Sequence, residues 1–297
     1  MRLADATPRV VVQGGTGRVG RAHLARMAAY GTCVVAAVTP GRGGERAEGI
    51  PVFDTVRAAV SGTGADTSVC FLPPAVAADG IVEAAEAGIG LVVCPTEGIH
   101  VHDAMAALEV ARRNGTRVVG PNTAGLLVPG RLSLGFLPGS IATPGPCAVV
   151  SRSGTLSYEV VLGLTRRGVG QSLWLGVGGD RVKGTTFSDA LGWLADDGRT
   201  RAVVLLGEIG GAEEEAAAGP IAELGLPVVA LIAGRRAPVD VPMGHAGALV
   251  QGSSGTHAAK VAALEAAGAR MVASPTQAAD AVADLLGIPG VRARPRA

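Results

Sequence analysis

His245 is the residue whose surroundings most suggest chemistry. It lies in the run Met243-Gly244-His245-Ala246-Gly247, in which its neighbours carry almost no side-chain bulk. Glycine lets backbone amides come close to whatever the imidazole carries. A neutral imidazole is also a competent nucleophile near its unperturbed pKa of about 6.5. A histidine in an ordinary tight turn has the same local pattern, so the companions of His245 decide its interpretation.

Two other segments combine small residues with groups that can bind or transfer phosphate. Glu208 follows the apolar run 203–206 and stands among glycines, where a carboxylate can face a cleft. Ser151-Arg152-Ser153-Gly154-Thr155 lies between a β-branched run and an amphipathic helix. The start of such a helix binds anions through its backbone amides and dipole. Ser153 and Thr155 also suit simple helix capping, so both roles remain open.

The N-terminal segment contains a loop of the kind that binds dinucleotides. The β-branched run 9–13 is followed by Gly14-Gly15-Thr16-Gly17-Arg18-Val19-Gly20 and then by a predicted helix. These glycines have the G-x-G-x-x-G spacing, which brings backbone amides close to a phosphate. The spacing alone is a weak signal, and the next loop is more informative.

The loop after the second predicted strand lacks the acid that NAD-binding proteins place there. It reads Thr39-Pro40-Gly41-Arg42-Gly43-Gly44, and Arg42 could pair with a phosphate on a ribose. Coenzyme A (CoA) and NADP both carry a ribose phosphate and a pyrophosphate, so the residues favour neither. A solvated loop arginine explains Arg42 equally well.

Strands alternate with helices along the chain, which predicts an α/β fold with parallel, doubly wound sheets. Ligands bind such sheets at the carboxyl ends of strands, where the glycine-rich loops fall. We expect a first domain over 1–121, a Gly/Pro-rich linker over 122–146, a second domain over 147–290 and a tail over 291–297. The acidic run Glu213-Glu214-Glu215 is expected in the first turn of a helix, on a solvated face.

Composition excludes several classes of function. The net charge of +1 over 297 residues offers no field for nucleic acid or a membrane surface. The 4 cysteines lack CxxC spacing, which predicts buried thiols in a reducing compartment. There is no signal-peptide pattern and no apolar run of about 20 residues, so we expect a cytoplasmic protein. The other histidines lack metal-ligand spacing, so we expect no metal held by this chain alone.

Four motifs, in their order and spacing, resemble the α subunit of succinate–CoA ligase (succinyl-CoA synthetase). The resemblance runs from Val10 to about Leu286. The motifs are Thr39-Pro40-Gly41-Arg42-Gly43-Gly44, Ser151-Arg152-Ser153-Gly154-Thr155-Leu156, Gly207-Glu208-Ile209-Gly210-Gly211 and Met243-Gly244-His245-Ala246-Gly247. The resemblance implies a Rossmann-like CoA-binding domain followed by a flavodoxin-like CoA-ligase domain. It also implies an acid–thiol ligase that is active with a β subunit containing an ATP-grasp domain.

The resemblance further implies roles for individual residues. His245 would carry a phosphohistidine, Glu208 would hold its ring, and Tyr158 would contact the substrate. Ser153, Gly154 and Thr155 would receive the phosphate. CoA would contact Thr16, Gly17, Arg18, Val19, Arg42, Pro95, Thr96 and Glu97. The substrates would be a small carboxylate, CoA and phosphate, with Mg²⁺ and the nucleotide on the β subunit.

Several positions depart from the family pattern. Thr123 stands where the family commonly has cysteine, and Val19 and Arg42 replace its usual glutamine and lysine. Arg181 replaces a proline, and Pro242 lies where the family tends to be basic. These changes suit either a divergent succinate enzyme or a relative that acts on another small carboxylate, such as malate. A CoA-binding regulatory subunit without turnover and an NADP-dependent reductase remain as alternatives.

Overall fold

The computed structural model describes residues 7–195, 197–237, 244–245, 247–250 and 255–288. The chain divides into two compact units, one within Met1–Leu137 and Gly176–Thr186, the other within Pro138–Leu175 and Phe187–Ala297. Each unit contains a mostly parallel sheet with helices, which confirms the predicted α/β fold class. The predicted tail over 291–297, Met243 and Ala246 lie outside the described residues.

The first unit is built on a sheet of seven strands. They are β1 (Val10–Gln13), β2 (Val34–Val38), β3 (Arg46–Ala47), β4 (Ile50–Phe53), β5 (Thr67–Cys70), β6 (Leu91–Val93) and β7 (Arg117–Val119). The helices are α1 (Arg18–Ala29), α2 (Val56–Thr63), α3 (Pro74–Glu86) and α4 (Val101–Arg113). The strands lie in the order β3-β4-β2-β1-β5-β6-β7, and β3–β4 is antiparallel while the other pairs are parallel.

The order in which strands are added to the first sheet reverses at β1. The chain passes from β1 to β2 on one side of it and later places β5 on the other side. In open α/β sheets this switch point leaves a crevice at the carboxyl ends of the two central strands, and ligands bind there. All four residues of β1 are buried, as expected for a central strand covered by helices on both faces.

The stretch 122–146, expected to be a linker, is structured. It contains β8 (Gly125–Val128), β9 (Leu132–Gly135), a 3₁₀ turn (Gly139–Ile141) and the start of β10 (Pro144–Ser151). Strands β8 and β9 form an antiparallel hairpin in which Gly125 pairs with Gly135. A Cβ atom on Gly125 would lie 2.1 Å from the Leu134 carbonyl oxygen, and its φ is +107°. These glycines therefore permit close strand pairing, which the sequence pattern alone does not distinguish from a flexible connection.

The second unit repeats the doubly wound arrangement. Its strands are β10, β11 (Gln171–Gly176), β12 (Ala202–Glu208), β13 (Val228–Ala233) and β14 (Arg270–Met271). Its helices are α5 (Gly154–Arg166), α6 (Phe187–Ala195), α7 (Glu213–Ala216), α8 (Ala218–Glu223), α9 (His257–Ala266) and α10 (Pro275–Leu285). The strand order β14-β13-β12-β10-β11 is that of a flavodoxin-like sheet, with its switch point between β10 and β12.

The burial of the cysteines and the character of the helices bear on two of the expectations from composition. Cys70, Cys94 and Cys147 are buried free thiols, and Cys33 is half-buried. Burial raises the pKa of the Cys147 thiol to about 12, so it remains protonated at neutral pH. In the part of the chain that the structure describes, no helix has both the length and the apolar character that a membrane crossing requires.

Candidate active site

The switch point of the second sheet holds a glutamate in contact with a histidine. Glu208 is the last residue of β12 and is only 7% exposed. The Nδ1 atom of His245 lies 3.0 Å from Glu208 Oε1 and 2.9 Å from Oε2. An ionised carboxylate can only accept hydrogen bonds, so Nδ1 carries a proton in this pair. In the neutral ring the lone pair is then on Nε2, which is the nucleophilic nitrogen.

A buried chain of charges lies behind Glu208. The Arg152 Nη2 atom is 3.1 Å from Glu208 Oε1, and its Nη1 atom is 3.3 Å from Glu214 Oε1. The second Glu214 oxygen accepts a hydrogen bond from Lys260 Nζ, which also donates to Glu215 Oε2 at 2.9 Å. The side chains of Glu214 and Lys260 are fully buried. Charges therefore alternate along this chain from Lys260 to Glu208.

The sequence analysis did not predict this series of buried charges. The solvated face that it expected for Glu213-Glu214-Glu215 is wrong for Glu214. The acidic run does occupy the start of α7, but Glu214 points into the unit and also accepts the Glu208 backbone N–H at 3.1 Å. One available signal was Lys260, a single lysine in an otherwise apolar stretch of α9. A lysine buried in such a helix requires a carboxylate partner.

The electrostatics of Arg152 follow from this setting. Burial opposes its charged form, but the carboxylates of Glu214 and Glu208 outweigh burial, so the pKa of Arg152 is raised. Arg152 is therefore a permanent cation beside Glu208. Its backbone N–H donates to the Leu206 carbonyl at 3.0 Å, which fixes the end of β10 against β12.

The turn after β10 leads directly into helix α5. Ser153 is the N-cap residue, and its hydroxyl accepts the Leu156 N–H at 3.2 Å. Gly154 is half-buried and Thr155 exposed, so the first turn of the helix is accessible. The predicted capping role of Ser153 is thus present. The same turn offers backbone amides at the carboxyl end of a central strand, where an anion would be stabilised.

Tyr158 lies one turn further along α5. Its ring packs edge-on against Trp174, with centroids 5.3 Å apart. The residue is half-buried, and burial raises the pKa of its hydroxyl. The hydroxyl therefore stays protonated at neutral pH and can donate a hydrogen bond.

The first unit contains a cleft of about 680 Å³ at its own switch point. Loops that follow β1, β2, β5 and β6 form its walls, together with one residue that follows β9. The lining residues are Gly14, Thr16, Gly17, Arg18, Val19, Gly20, Thr39, Phe71, Leu72, Pro73, Pro74, Pro95, Thr96, Glu97 and Phe136. Every residue that the sequence analysis assigned to CoA lines this cleft, except Arg42.

Arg42 lies in the loop after β2, beside the cleft. Its guanidinium pairs with Glu45, with Nη2 2.6 Å from Oε2, and both side chains are about half exposed. Its backbone N–H donates to the carbonyl of Thr39, which does line the cleft. The Thr39 hydroxyl is 3.0 Å from the Thr16 hydroxyl, so this loop is joined to the glycine-rich loop.

Comparisons with known proteins decide the family. A model described as a CoA binding domain matches residues 5–98, and one described as CoA-ligase matches residues 150–270. The chain is 48% identical over 284 residues to the succinate–CoA ligase (ADP-forming) subunit alpha 2 of Archaeoglobus fulgidus, covering 96% of this chain and 99% of that protein. It is also 48% identical over 289 residues to the alpha subunit of Aquifex aeolicus, covering 96% and 95%. The chain belongs to the succinate–CoA ligase alpha-subunit family.

Solved structures agree at the level of the fold. The ATP citrate lyase of Methanothrix soehngenii, solved with citrate and coenzyme A, matches 99% of this chain with a TM-score of 0.84 and 25% identity. An acetyl-coenzyme A synthetase of Ca. Korarchaeum cryptofilum matches 94% with a TM-score of 0.76 and 22% identity. This chain spans 53% and 60% of those two chains. The resemblance stated from the motifs is therefore confirmed, and with it a CoA-binding domain followed by a CoA-ligase domain.

One departure from the family pattern now has a structural description. Thr123, in the position of the usual cysteine, is buried; its hydroxyl donates to the Gly176 carbonyl at 2.5 Å and accepts the Gly125 N–H at 3.0 Å. The adjacent Asn122 donates through its amide to Asp180 Oδ1 at 2.9 Å. Thr123 thus ties the loop after β7 to the segment 176–186 by hydrogen bonds that a cysteine would make less well.

Proposed function

We propose that this chain is the phosphoryl-carrying subunit of an acid–CoA ligase, with His245 as the carrier. The observation that supports this most is the contact between His245 Nδ1 and both oxygens of the buried Glu208. A carboxylate on Nδ1 fixes the ring tautomer and leaves Nε2 as the nucleophile. A regulatory subunit without turnover would not need this pair.

The reaction proceeds in three transfers. In the first, an oxygen of phosphate attacks the carbonyl carbon of acyl-CoA; the C–O bond forms, the C–S bond breaks and the CoA thiol leaves, which gives the acyl phosphate. Nε2 of His245 then attacks the phosphorus of the acyl phosphate; the Nε2–P bond forms, the P–O bond breaks and the carboxylate leaves. The imidazole becomes positively charged in this step, and Glu208 stabilises that charge through Nδ1–H. Finally the phosphoryl group passes to a nucleoside diphosphate, and the neutral imidazole returns.

The phosphoryl group on the histidine needs hydrogen-bond donors, because a buried anion without donors is costly. The start of α5 at Ser153, Gly154 and Thr155 supplies backbone amides and the positive end of the helix dipole. We assign the phosphate site to this turn, and substrate contact to Tyr158 on the same helix.

We place CoA in the cleft of the first unit. The glycine-rich loop and the start of α1 suit the pyrophosphate, because small residues let the amides approach it. Arg42 would reach the ribose phosphate by exchanging its ion pair with Glu45 for one with the ligand. The remaining contacts fall on the lining residues assigned above, among them Thr16, Pro95, Thr96 and Glu97.

The nucleotide and its Mg²⁺ belong to a partner in this proposal. The sequence contains no P-loop motif, and its relatives are named as alpha subunits of ADP-forming ligases. We therefore expect a β subunit with an ATP-grasp domain. The acid is a small carboxylate, either succinate or a relative such as malate, since Thr123 and Arg181 depart from the family pattern.

Labelling the reconstituted complex with γ-phosphate-labelled ATP tests the carrier. The wild-type chain with its β subunit should gain an acid-labile, base-stable label, and the chain alone should gain none. His245→Ala should abolish the label. His257→Ala is the matched control, because His257 is a partly exposed histidine at the start of α9 in the same unit, and it should keep the label. A label that persists in His245→Ala would refute the proposal.

Calorimetry with CoA and NADP tests the ligand of the first unit. We expect CoA to bind, and we expect no binding of NADP with comparable affinity. Arg42→Ala should weaken CoA about tenfold or more, as expected for loss of a charge-assisted hydrogen bond. Arg46→Ala removes a nearby exposed arginine that donates to the Gly49 carbonyl, and it should leave CoA binding unchanged. Tight NADP binding without heat from CoA would contradict the assignment.

A further inference from the structure

The buried chain behind Glu208 consists of Arg152, Glu214 and Lys260, none of which the proposed mechanism uses. Three contacts fix Arg152: Glu208 Oε1 at 3.1 Å, Glu214 Oε1 at 3.3 Å and the Gly210 carbonyl at 3.1 Å. Glu214 in turn is held by Lys260, whose Nζ also donates to the Gly211 carbonyl at 2.9 Å. The side chains of Arg152, Glu214 and Lys260 are 3%, 0% and 0% exposed.

Burial of this many charges is expensive unless each one is paired. Stability alone would favour apolar residues at these positions, since such replacements are often neutral or stabilising. This series of buried charges does, however, end on a carboxylate that contacts His245. Its members come from the turn after β10, from α7 and from α9, so separate parts of the unit converge on Glu208.

This inference rests on the proposed cycle, during which the buried carboxylate of Glu208 needs a partner. Glu208 is 7% exposed, and besides contacting His245 it is paired with the guanidinium of Arg152. If the ring of His245 moves with its phosphoryl group, Glu208 loses that contact, and a buried carboxylate without a partner would be costly. Arg152 keeps a hydrogen bond to Oε1 at that moment, while Glu214 and Lys260 keep Arg152 in place.

We propose that Arg152, Glu214 and Lys260 are positioning residues that hold the Glu208 carboxylate in the place where it contacts Nδ1 of His245, including when the ring moves away during phosphoryl transfer. They touch neither the substrate nor the reacting atoms, and they act through Glu208. Two consequences follow. Loss of Arg152 slows phosphorylation without changing CoA binding in the other unit, and its effect disappears when Glu208 can no longer act.

A double-mutant cycle on the rate of His245 phosphorylation tests the first member. Glu208→Gln should slow the single-turnover rate about 10²–10⁴-fold, the range for lost acid–base support. Arg152→Met should slow it at least about tenfold with the KM for nucleotide unchanged, and Arg152→Lys should recover part of the rate. The double variant should be within about threefold of Glu208→Gln alone, because residues in one network are not additive. Effects that multiply would overturn the inference.

The matched control is Arg167→Met. Arg167 also pairs with a carboxylate of the same unit, since its Nη2 atom is 2.7 Å from Asp280 Oδ1, but the pair does not touch Glu208. This variant should phosphorylate at the wild-type rate. If Arg167→Met slows the reaction as much as Arg152→Met, the effect belongs to loss of an arginine in general, and the inference fails.

A second variant keeps the test decisive if Arg152→Met does not fold. Glu214→Met with Lys260→Met removes one buried charge of each sign and replaces both by apolar groups of similar volume. Such an exchange is expected to preserve folding, while Arg152 loses its ion pair with Glu214. The phosphorylation rate should fall about tenfold with an unchanged melting temperature, and an unchanged rate would overturn the role of this pair.

The outcomes separate this inference from the proposed function. If His245→Ala and Glu208→Gln label like the wild type, the proposed function itself fails. If those two variants behave as expected but the rate reductions caused by Arg152→Met and Glu208→Gln multiply in the double variant, only the positioning role fails.

Discussion

Gly20→Ala should destabilise the first unit, whereas Gly17→Ala, three residues earlier, should not. A Cβ atom on Gly20 would lie 2.2 Å from the Gly14 carbonyl oxygen and 2.8 Å from its carbon. A Cβ atom on Gly17 would meet the same oxygen at 3.3 Å. Gly17 is the N-cap of α1, with φ −69° and ψ 158°, an extended conformation that any residue adopts.

The magnitude follows from the overlap. Carbon–oxygen contacts normally begin at about 3.3 Å, so alanine at Gly20 overlaps a backbone atom by roughly 1 Å. No side chain can rotate away, and α1 must shift; overpacking of this kind costs about 1–3 kcal/mol. Helix propensity favours alanine over glycine by about 1 kcal/mol, which leaves a net loss of about 2 kcal/mol from the upper end of that range. Gly17→Ala should stay within about 0.5 kcal/mol of wild type.

The positions of the tryptophans allow the two units to be followed separately. Trp174 and Trp193 are the 2 tryptophans of the chain, and both lie in the second unit. Their fluorescence reports that unit, while far-ultraviolet circular dichroism reports both. Gly20→Ala should lower the melting temperature of the transition seen only by circular dichroism by about 4–8 °C. The fluorescence transition should not move.

CoA affinity gives an independent measurement of the same change. A shift of α1 displaces the amides at its start, so calorimetry should show CoA binding to Gly20→Ala weakened about tenfold or more. A Gly20→Ala chain that melts and binds CoA like the wild type would refute the close approach of Gly14 and Gly20. An equal loss of thermal stability in Gly17→Ala would refute the reasoning from contact distance.

Three further predictions concern single contacts. Thr123→Ala should cost about 1–3 kcal/mol in urea denaturation, because the buried Gly125 N–H and Gly176 carbonyl lose a partner, while Thr123→Ser should retain most of the stability. Ser153→Ala should cost about 1 kcal/mol as a lost helix cap, seen in the fluorescence transition, and Ser153→Asn should restore it. The pKa of His23 is lowered by burial and by Arg26, so the unfolded chain binds its proton more readily than the folded chain. Stability of the first unit should therefore fall as pH drops below about 6.5, and His23→Phe should reduce that fall in denaturation at pH 7.5 and 5.5.

Much of the fold could be predicted because its signals are local. A β-branched strand, a glycine-rich turn and a helix lie within a few residues of one another, so the loop 14–20 identifies its own role. The carboxyl ends of strands could be assigned in the same way, and this placed Glu208 at an edge where ligands bind. The contact of Glu208 with His245 was inferred from a family resemblance, since 37 residues separate them and no periodicity links them.

The features that sequence reasoning missed depend on distant partners. Glu214 belongs to an acidic run whose pattern indicates a solvated helix start, yet it is fully buried, because Lys260 lies 46 residues further along the chain and meets it. The hairpin within 122–146 was not predicted, for a related reason. Gly125 and Gly135 look like flexible punctuation until the register places them opposite each other. The pairing of Arg42 with Glu45 was visible as an i,i+3 spacing and was not used.

The candidate sites of the two units lie at equivalent positions in their sheets but are lined by different kinds of residues. In each sheet the strand order reverses beside the first strand, and the candidate functional residues lie at the carboxyl ends of the two central strands, where such sheets bind ligands. The first unit lines its crevice mainly with glycine, proline and apolar side chains, together with three threonines, Arg18 and Glu97, which suits a large ligand held in part by backbone amides. The second unit brings buried charges to the same position, ending on Glu208 and His245. Backbone amides can bind a phosphate but cannot form a bond to phosphorus, which requires a nucleophilic side chain such as an imidazole, so the fold supplies the location and the side chains supply the chemistry.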